Sequence, residues 1–250
     1  MTPTYILTDS FSSLEITISN DATHATPLGL NIGGTEARCG KTDSRDYDYP
    51  KNALGGPLPP DIQACYGEGD VIELDVILTA HHMGHFSYKA CAINAGEVAS
   101  QECFDSNPLT FVEDVLYGSL PDPNYPDRAY IPRVDSGIIQ KDNSDHYKLS
   151  HRFKLPEGLS GDLVLLQWHY ITGNSCLADD GYLNYDFPAG FEPKLQLGVC
   201  DSIPPDGRGA PEQVSSIYVL FTLPLHTTSK QPYLLNIAPC IISSSVLELC

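Results

Sequence analysis

The chain has 250 residues, and 32 acidic against 14 basic side chains leave it a formal charge of −18 and a pI near 4.5. No basic stripe exists to neutralise phosphates or dock on anionic lipid, and no apolar run reaches the roughly 20 residues of a spanning helix, so nucleic-acid and membrane partners are excluded. With 42% hydrophobic and 18% charged residues it can bury a sizeable core, at the length of one large β-domain or two small domains.

Twenty glycines and twenty prolines suit many short strands better than long helices. Residues 30–70 are dense in Gly, Pro, Asp and Asn and read as loop with small strands. The first clear strand is VIELDVILTA, with Ile72, Leu74, Val76 and Leu78 on one face and Glu73 and Asp75 on the other. After a turn at His82 to Gly84 the alternation resumes, Phe86, Tyr88 and Ala90 opposing His85, Ser87 and Lys89. From Asn94 to Gly137 five prolines argue against long regular elements. HYKLSHRFKLP then alternates Tyr147, Leu149, His151, Phe153 and Leu155 with polar residues, as a half-buried antiparallel strand does. In LVLLQWHYITGNSC, Val164, Leu166, Trp168 and Tyr170 share a face opposite Gln167 and His169. Segments with one apolar face each are buried economically by two antiparallel sheets packed face to face, a β-sandwich with long loops.

The eight cysteines, Cys39, Cys65, Cys91, Cys103, Cys176, Cys200, Cys240 and Cys250, are even in number and spread along the chain, which favours disulfides and an oxidising compartment. Zinc is the rival reading, but no Cys-x-x-Cys or His-x-x-x-His spacing supports it. Residues 1–25 have neither a basic start nor an apolar stretch of signal-peptide length, so the expectation from this segment is no export signal.

Eight histidines raise the question of a metal, and the pair His81-His82 at a strand end is the most suggestive. Neighbours on an extended chain point to opposite faces, so one of the two would serve a given ion. His151, on an apolar face, reads as a core residue with its polar atoms satisfied, while His85, His146 and His169 sit on polar faces or loops. Trp168 alternates with Val164 and Leu166 and reads as a core anchor rather than a sugar platform. Tyr117, Tyr125 and Tyr130 could stack on sugars, although loop packing explains them as well. No Gly-x-Ser-x-Gly elbow supports serine hydrolysis, and 32 acids leave any choice of a glycosidase carboxylate pair arbitrary.

LTAHHMGHFSYKAC (78–91) followed by LVLLQWHYITGNSC (163–176) resembles the chitin-binding type-4 domain, that is, the lytic polysaccharide monooxygenases, and within them the auxiliary-activity group first recognised in insects. CGKTDSRDYDYPKN near Cys39 and PPDGRGAPEQ at 204–213 also fit, so the likeness covers about residues 30–213. It implies an all-β, immunoglobulin-like or fibronectin-like antiparallel sandwich that is secreted and monomeric and acts on insoluble chitin or a cellulose-like polysaccharide. It further implies one copper ion in a histidine brace, made by the amino group and ring of an N-terminal histidine and by a second histidine that maps to His82. Ala80 matches the small residue beside the copper, and Glu212 matches a carboxylate that acts from behind the metal rather than on it. An amine and two imidazoles suit tetragonal Cu(II) and still hold Cu(I).

The chain also departs from the pattern. Met1 stands where a brace histidine is expected, His24 could become N-terminal only by a cut after Thr23, and Val214 replaces the axial aromatic after Pro211, Glu212 and Gln213. From 214 to 250 the only acid is Glu248, so residues 1–29 and 214–250 read as atypical ends flanking a 30–213 domain, of the kind a misread exon boundary or frameshift leaves. Three functions follow: a copper monooxygenase, a polysaccharide-binding module without catalysis, which the chain as written favours, and an inert interaction domain. On the proposed fold Cys91–Cys103 and Cys176–Cys200 are expected pairs and Cys39–Cys65 a third, with Cys240 and Cys250 left in the atypical tail.

Overall fold

A computed structural model describes residues 13–18, 62–78, 81–94, 99–133, 146–192, 197–204, 210–211, 213–223 and 247–248. In chain order these form β1 (Ser13–Ile18), β2 (Ile62–Cys65), β3 (Val71–Leu78), β4 (His85–Ile93), α1 (Gln101–Asp105), β5 (Thr110–Asp114) and β6 (Ala129–Tyr130). There follow β7 (Tyr147–Lys154), β8 (Gly161–Ile171), α2 (Gly181–Asn184), β9 (Gln213–Leu223) and β10 (Leu247–Glu248). They build two five-stranded sheets, ordered β10-β1-β3-β7-β5 and β2-β9-β8-β4-β6. The expected sandwich is present, and most of its pairings are antiparallel. Parallel pairing joins β1 to β3 and to β10, and β2 to β9, because those strands return by crossovers rather than hairpins.

The period-two patterns decide which side of each strand enters the core. From the first sheet come Ile72, Leu74, Val76, Leu78, Leu149 and Phe153, and from the second Phe86, Tyr88, Ala90, Val164, Leu166 and Trp168, all buried in one cluster. The β4–β8 register sets Phe86 opposite Tyr170 and Tyr88 opposite Trp168. Phe86 meets Trp168 and Tyr170 edge-on, with ring centroids 5.2 and 4.9 Å apart, and Tyr88 meets Phe153 across the sheets at 4.7 Å. Trp168 is 1% exposed, as expected of a core anchor.

His151 lies in this core at 0% exposure between Phe86 and Phe111. Its Nε2 stands 3.3 Å from the Asp114 carboxylate, at ion-pair distance but not aligned for a hydrogen bond, and neither ring nitrogen makes one. The core position is therefore as expected and the full satisfaction of its polar atoms is not. The other Asp114 oxygen accepts from the backbone N–H groups of Leu116 and Tyr117 and so holds the β5 exit in place.

On the outer side of the first sheet, Arg152 bridges Glu73 and Glu113 on the two flanking strands, an exposed ladder of the kind worth a few tenths of a kcal/mol per pair. The outer side of the second sheet is covered. The proline-rich stretch expected to be irregular contains α1, β5 and β6, and α1 lies over Cys91, Ile93, Leu163 and Leu165 with Phe104 buried beneath it. Ser100 caps this one-turn helix by accepting from the Cys103 N–H, and Lys89 pairs with Asp105.

A helix of five residues cannot hold itself together, so the Cys91–Cys103 disulfide, with Cα atoms 5.4 Å apart, decides whether it stays. The second expected bridge, Cys176–Cys200, is also present. Cys39, Cys240 and Cys250 lie outside the described residues. Closing a loop of 12 residues is worth about 3 kcal/mol. The double variant Cys91→Ala with Cys103→Ala is accordingly expected to lower unfolding free energy by about that amount, read from urea midpoints without reductant.

Candidate metal centre

The turn between β3 and β4 crosses from one sheet to the other, and its geometry determines where His82 sits. Met83 has φ 54° and Gly84 φ 80°, both in the left-handed region. At Gly84 the reason is spatial, since a Cβ there would drive into the carbonyl oxygen of Ile171 on β8. Gly173 faces it with less severe crowding, its Cβ position being 3.2 Å from the Gly84 nitrogen. Two glycines thus let the turn lie directly against the end of β8.

Backbone hydrogen bonds lock it there. The His82 N–H donates to Tyr170 Oη at 3.0 Å, Gly173 N–H donates to the His82 carbonyl at 2.8 Å, and Ile131 N–H donates to the Gly84 carbonyl at 2.9 Å. The two histidines differ in their contacts. His81 turns inward, with its ring edge-on to Tyr147 at 5.2 Å and its Nδ1 accepting from the Met83 N–H. Burial, with the neighbouring His82 adding to it, holds the His81 pKa down to about 4. His82 is half-buried, and among the described residues its ring has no hydrogen bond or ion pair. Of the two, His82 is the imidazole available to a metal.

Among the described residues no group of three His, Cys, Asp or Glu side chains converges. Ala80 and Glu212 lie outside the described residues, as does His24. The flanking Gln213 is buried and pairs with Ile171 at the same end of the second sheet, and its amide oxygen is 3.1 Å from His169 Nε2.

Residues 13–185 match the family described as lytic polysaccharide mono-oxygenase, cellulose-degrading. The chain belongs to the lytic polysaccharide mono-oxygenases. At family level it is therefore a copper polysaccharide mono-oxygenase. A solved structure from Thermobia domestica, a lytic polysaccharide monooxygenase of group AA15 in the Cu(I) state, is 20% identical and has a TM-score of 0.46, over 79% of this chain and 82% of that one. No curated protein matches. His82 carries an imidazole, a nitrogen donor of the kind copper takes, on a turn held by backbone hydrogen bonds to the end of β8.

Around this end of the mono-oxygenase sandwich the polar face of the second sheet is buried rather than exposed, contrary to what alternation suggests for His85. His85 is 5% exposed, and Arg128 and Asp179 stand close enough to act on its charge. Its ring meets Tyr130 edge-on at 5.8 Å. Nearby, Arg128 makes two hydrogen bonds to Asp179, at 2.9 and 2.7 Å, with its guanidinium 3.8 Å over the Tyr125 ring. Tyr117 and Tyr130 are both buried, so packing rather than sugar stacking explains them.

Burial lowers the pKa of His85 well below its ordinary value, with Arg128 and His169 adding to the effect, and it lowers His169 to about 4, with Lys89 adding. Both rings take up a proton more readily in the unfolded chain, near pH 6.5, than in the folded one. The stability they contribute is complete above pH 6.5 and is lost as pH falls toward 4. Urea midpoints are expected to drop steadily from pH 7 to pH 5, and His169→Gln is expected to flatten that slope.

Beside β6, the segments 118–125 and 180–192 enclose an open groove of about 1070 Å³. Asp122, Asn124, Asp180 and Asp186 line it together with Tyr125 and Tyr185. Carboxylate and amide acceptors beside aromatic rings are the two kinds of contact that a sugar's hydroxyls and ring faces take.

Proposed function

We propose that this chain cleaves chitin or a cellulose-like polysaccharide oxidatively, with His82 as a copper ligand and Glu212 behind the metal. The observation that carries the reading is the half-buried His82, its backbone clamped to the end of β8, in a chain of this family. The rest of the brace is assigned to a histidine at a mature N-terminus, whose amino group and ring supply the other two nitrogens. Copper held there would supply one-electron redox chemistry toward oxygen or peroxide, the chemistry that oxidation of a glycosidic C–H bond needs. The chain's own part is to hold His82 still against the end of β8 and to present a rigid surface to a solid substrate. The disulfides Cys91–Cys103 and Cys176–Cys200 suit a secreted protein, and the groove beside β6 suits contact with polysaccharide.

The test is to sequence the N-terminus of the protein from its natural source and incubate it with chitin and with cellulose, Cu(II) and ascorbate. Oligosaccharides carrying aldonic-acid or 4-keto ends are the expected products. A mature N-terminal histidine without oxidised products overturns the reading. Retention on the polysaccharide without oxidation establishes the non-catalytic binding module instead.

A further inference from the structure

We infer that Tyr170 is a positioning residue for the metal centre: its hydroxyl, by accepting the His82 backbone N–H, fixes the backbone from which the His82 imidazole reaches copper. The inference rests on the proposed role of His82. Tyr170 is 88 residues away in sequence, yet its Oη is 3.0 Å from the His82 nitrogen. The ring that carries this oxygen is itself immobile. It is buried, packs edge-on against Phe86 at 4.9 Å and lies 5.9 Å from Trp168, so the hydroxyl is anchored to the centre of the sandwich core.

The second backbone group of His82 is held from the same strand end, by Gly173 N–H. Its two peptide bonds are thus pinned at both sides, and the swing left to the imidazole is rotation about its own side-chain bonds. Removing the Tyr170 oxygen frees one side. The turn at Met83 then loses a constraint that its left-handed φ of 54° requires. A ligand that wanders costs a metal affinity and changes the ligand field, as the loss of partners outside the coordination sphere does in other metal sites.

Tyr170→Phe keeps the ring and deletes the acceptor. Tyr88→Phe removes a buried hydroxyl elsewhere in the same core and serves as the control. Cu(II) titration and the Cu(II) EPR spectrum are read on the natural protein, both variants and His82→Ala, with thermal melts alongside. Expected is about tenfold weaker Cu(II) binding and a shifted EPR spectrum for Tyr170→Phe, with Tyr88→Phe indistinguishable from the parent in both. Parental affinity and spectrum in Tyr170→Phe overturn the inference and leave the function proposal standing. A parent that binds no Cu(II), or a His82→Ala that binds as the parent does, overturns the function proposal and this inference with it. Independently of any variant, hydrogen exchange of the His82 amide is expected to be protected in the metal-free parent, and exchange at the free-peptide rate overturns the inference.

Discussion

Replacing His82 by alanine is expected to weaken Cu(II) binding by more than about 100-fold and to remove oxidised products from the polysaccharide reaction while leaving the fold intact. Loss of a partner that merely supports a metal ligand costs 10- to 100-fold, so loss of the ligand itself costs more. Fold stability is a separate matter. The His82 ring is half-buried and makes no hydrogen bond or ion pair among the described residues, and what holds the turn is the residue's backbone, which alanine retains. A change of less than about 1 kcal/mol in unfolding free energy is therefore expected. Copper titration and urea unfolding on the same preparation check both halves. Undiminished copper binding would remove His82 from the site.

Gly84→Ala is expected to have the largest structural effect of any single methyl group near the site. Its φ of 80° is unfavourable for a residue with a Cβ, and the new carbon would run into the Ile171 carbonyl oxygen, part of a backbone that cannot turn aside as a side chain does. Either the turn or the end of β8 has to move. The Gly173 to His82 and Ile131 to Gly84 hydrogen bonds lie in the path of that movement. Strain and overpacking together amount to about 4 kcal/mol. Urea unfolding reads that loss, and Cu(II) titration is expected to show weaker binding in the fraction that still folds, because the displaced turn carries His82. A variant as stable as the parent would show that the turn can relax away from β8.

Much of this was legible in the linear chain, and the parts that were not have definite causes. Alternation identified the inner faces of β3, β4, β7 and β8 correctly, because a strand's two sides differ in solvent and the side-chain period is two. The same rule put His85 on a polar face but could not show that it is buried near Tyr130, Arg128 and Asp179, since those residues come from segments more than 40 residues away. Alternation likewise could not show that β3 and β4, consecutive in the chain, belong to different sheets rather than to one hairpin. α1, a single turn held by a Ser100 cap and a disulfide rather than by its own propensity, is too short to show a helical period. At the candidate site, the His-His pair and its family pattern were readable. The Tyr170 contact was not, because Tyr170 offers a pattern only the information that its ring faces inward.

The β class, the inward faces, the acidic balance and the family are thus carried by local spacing or by composition, while the two disulfide pairs expected on the proposed fold are found in the structure. The closed fold determines that the His81 ring is engaged by its surroundings and that the His82 backbone is held while its ring makes no hydrogen bond among the described residues. That outcome depends on a left-handed turn pressed against a strand 88 residues downstream, where a tyrosine hydroxyl and a glycine N–H meet the backbone of His82. Contacts between distant segments carry no sequence period, and they exist only once the sandwich has closed.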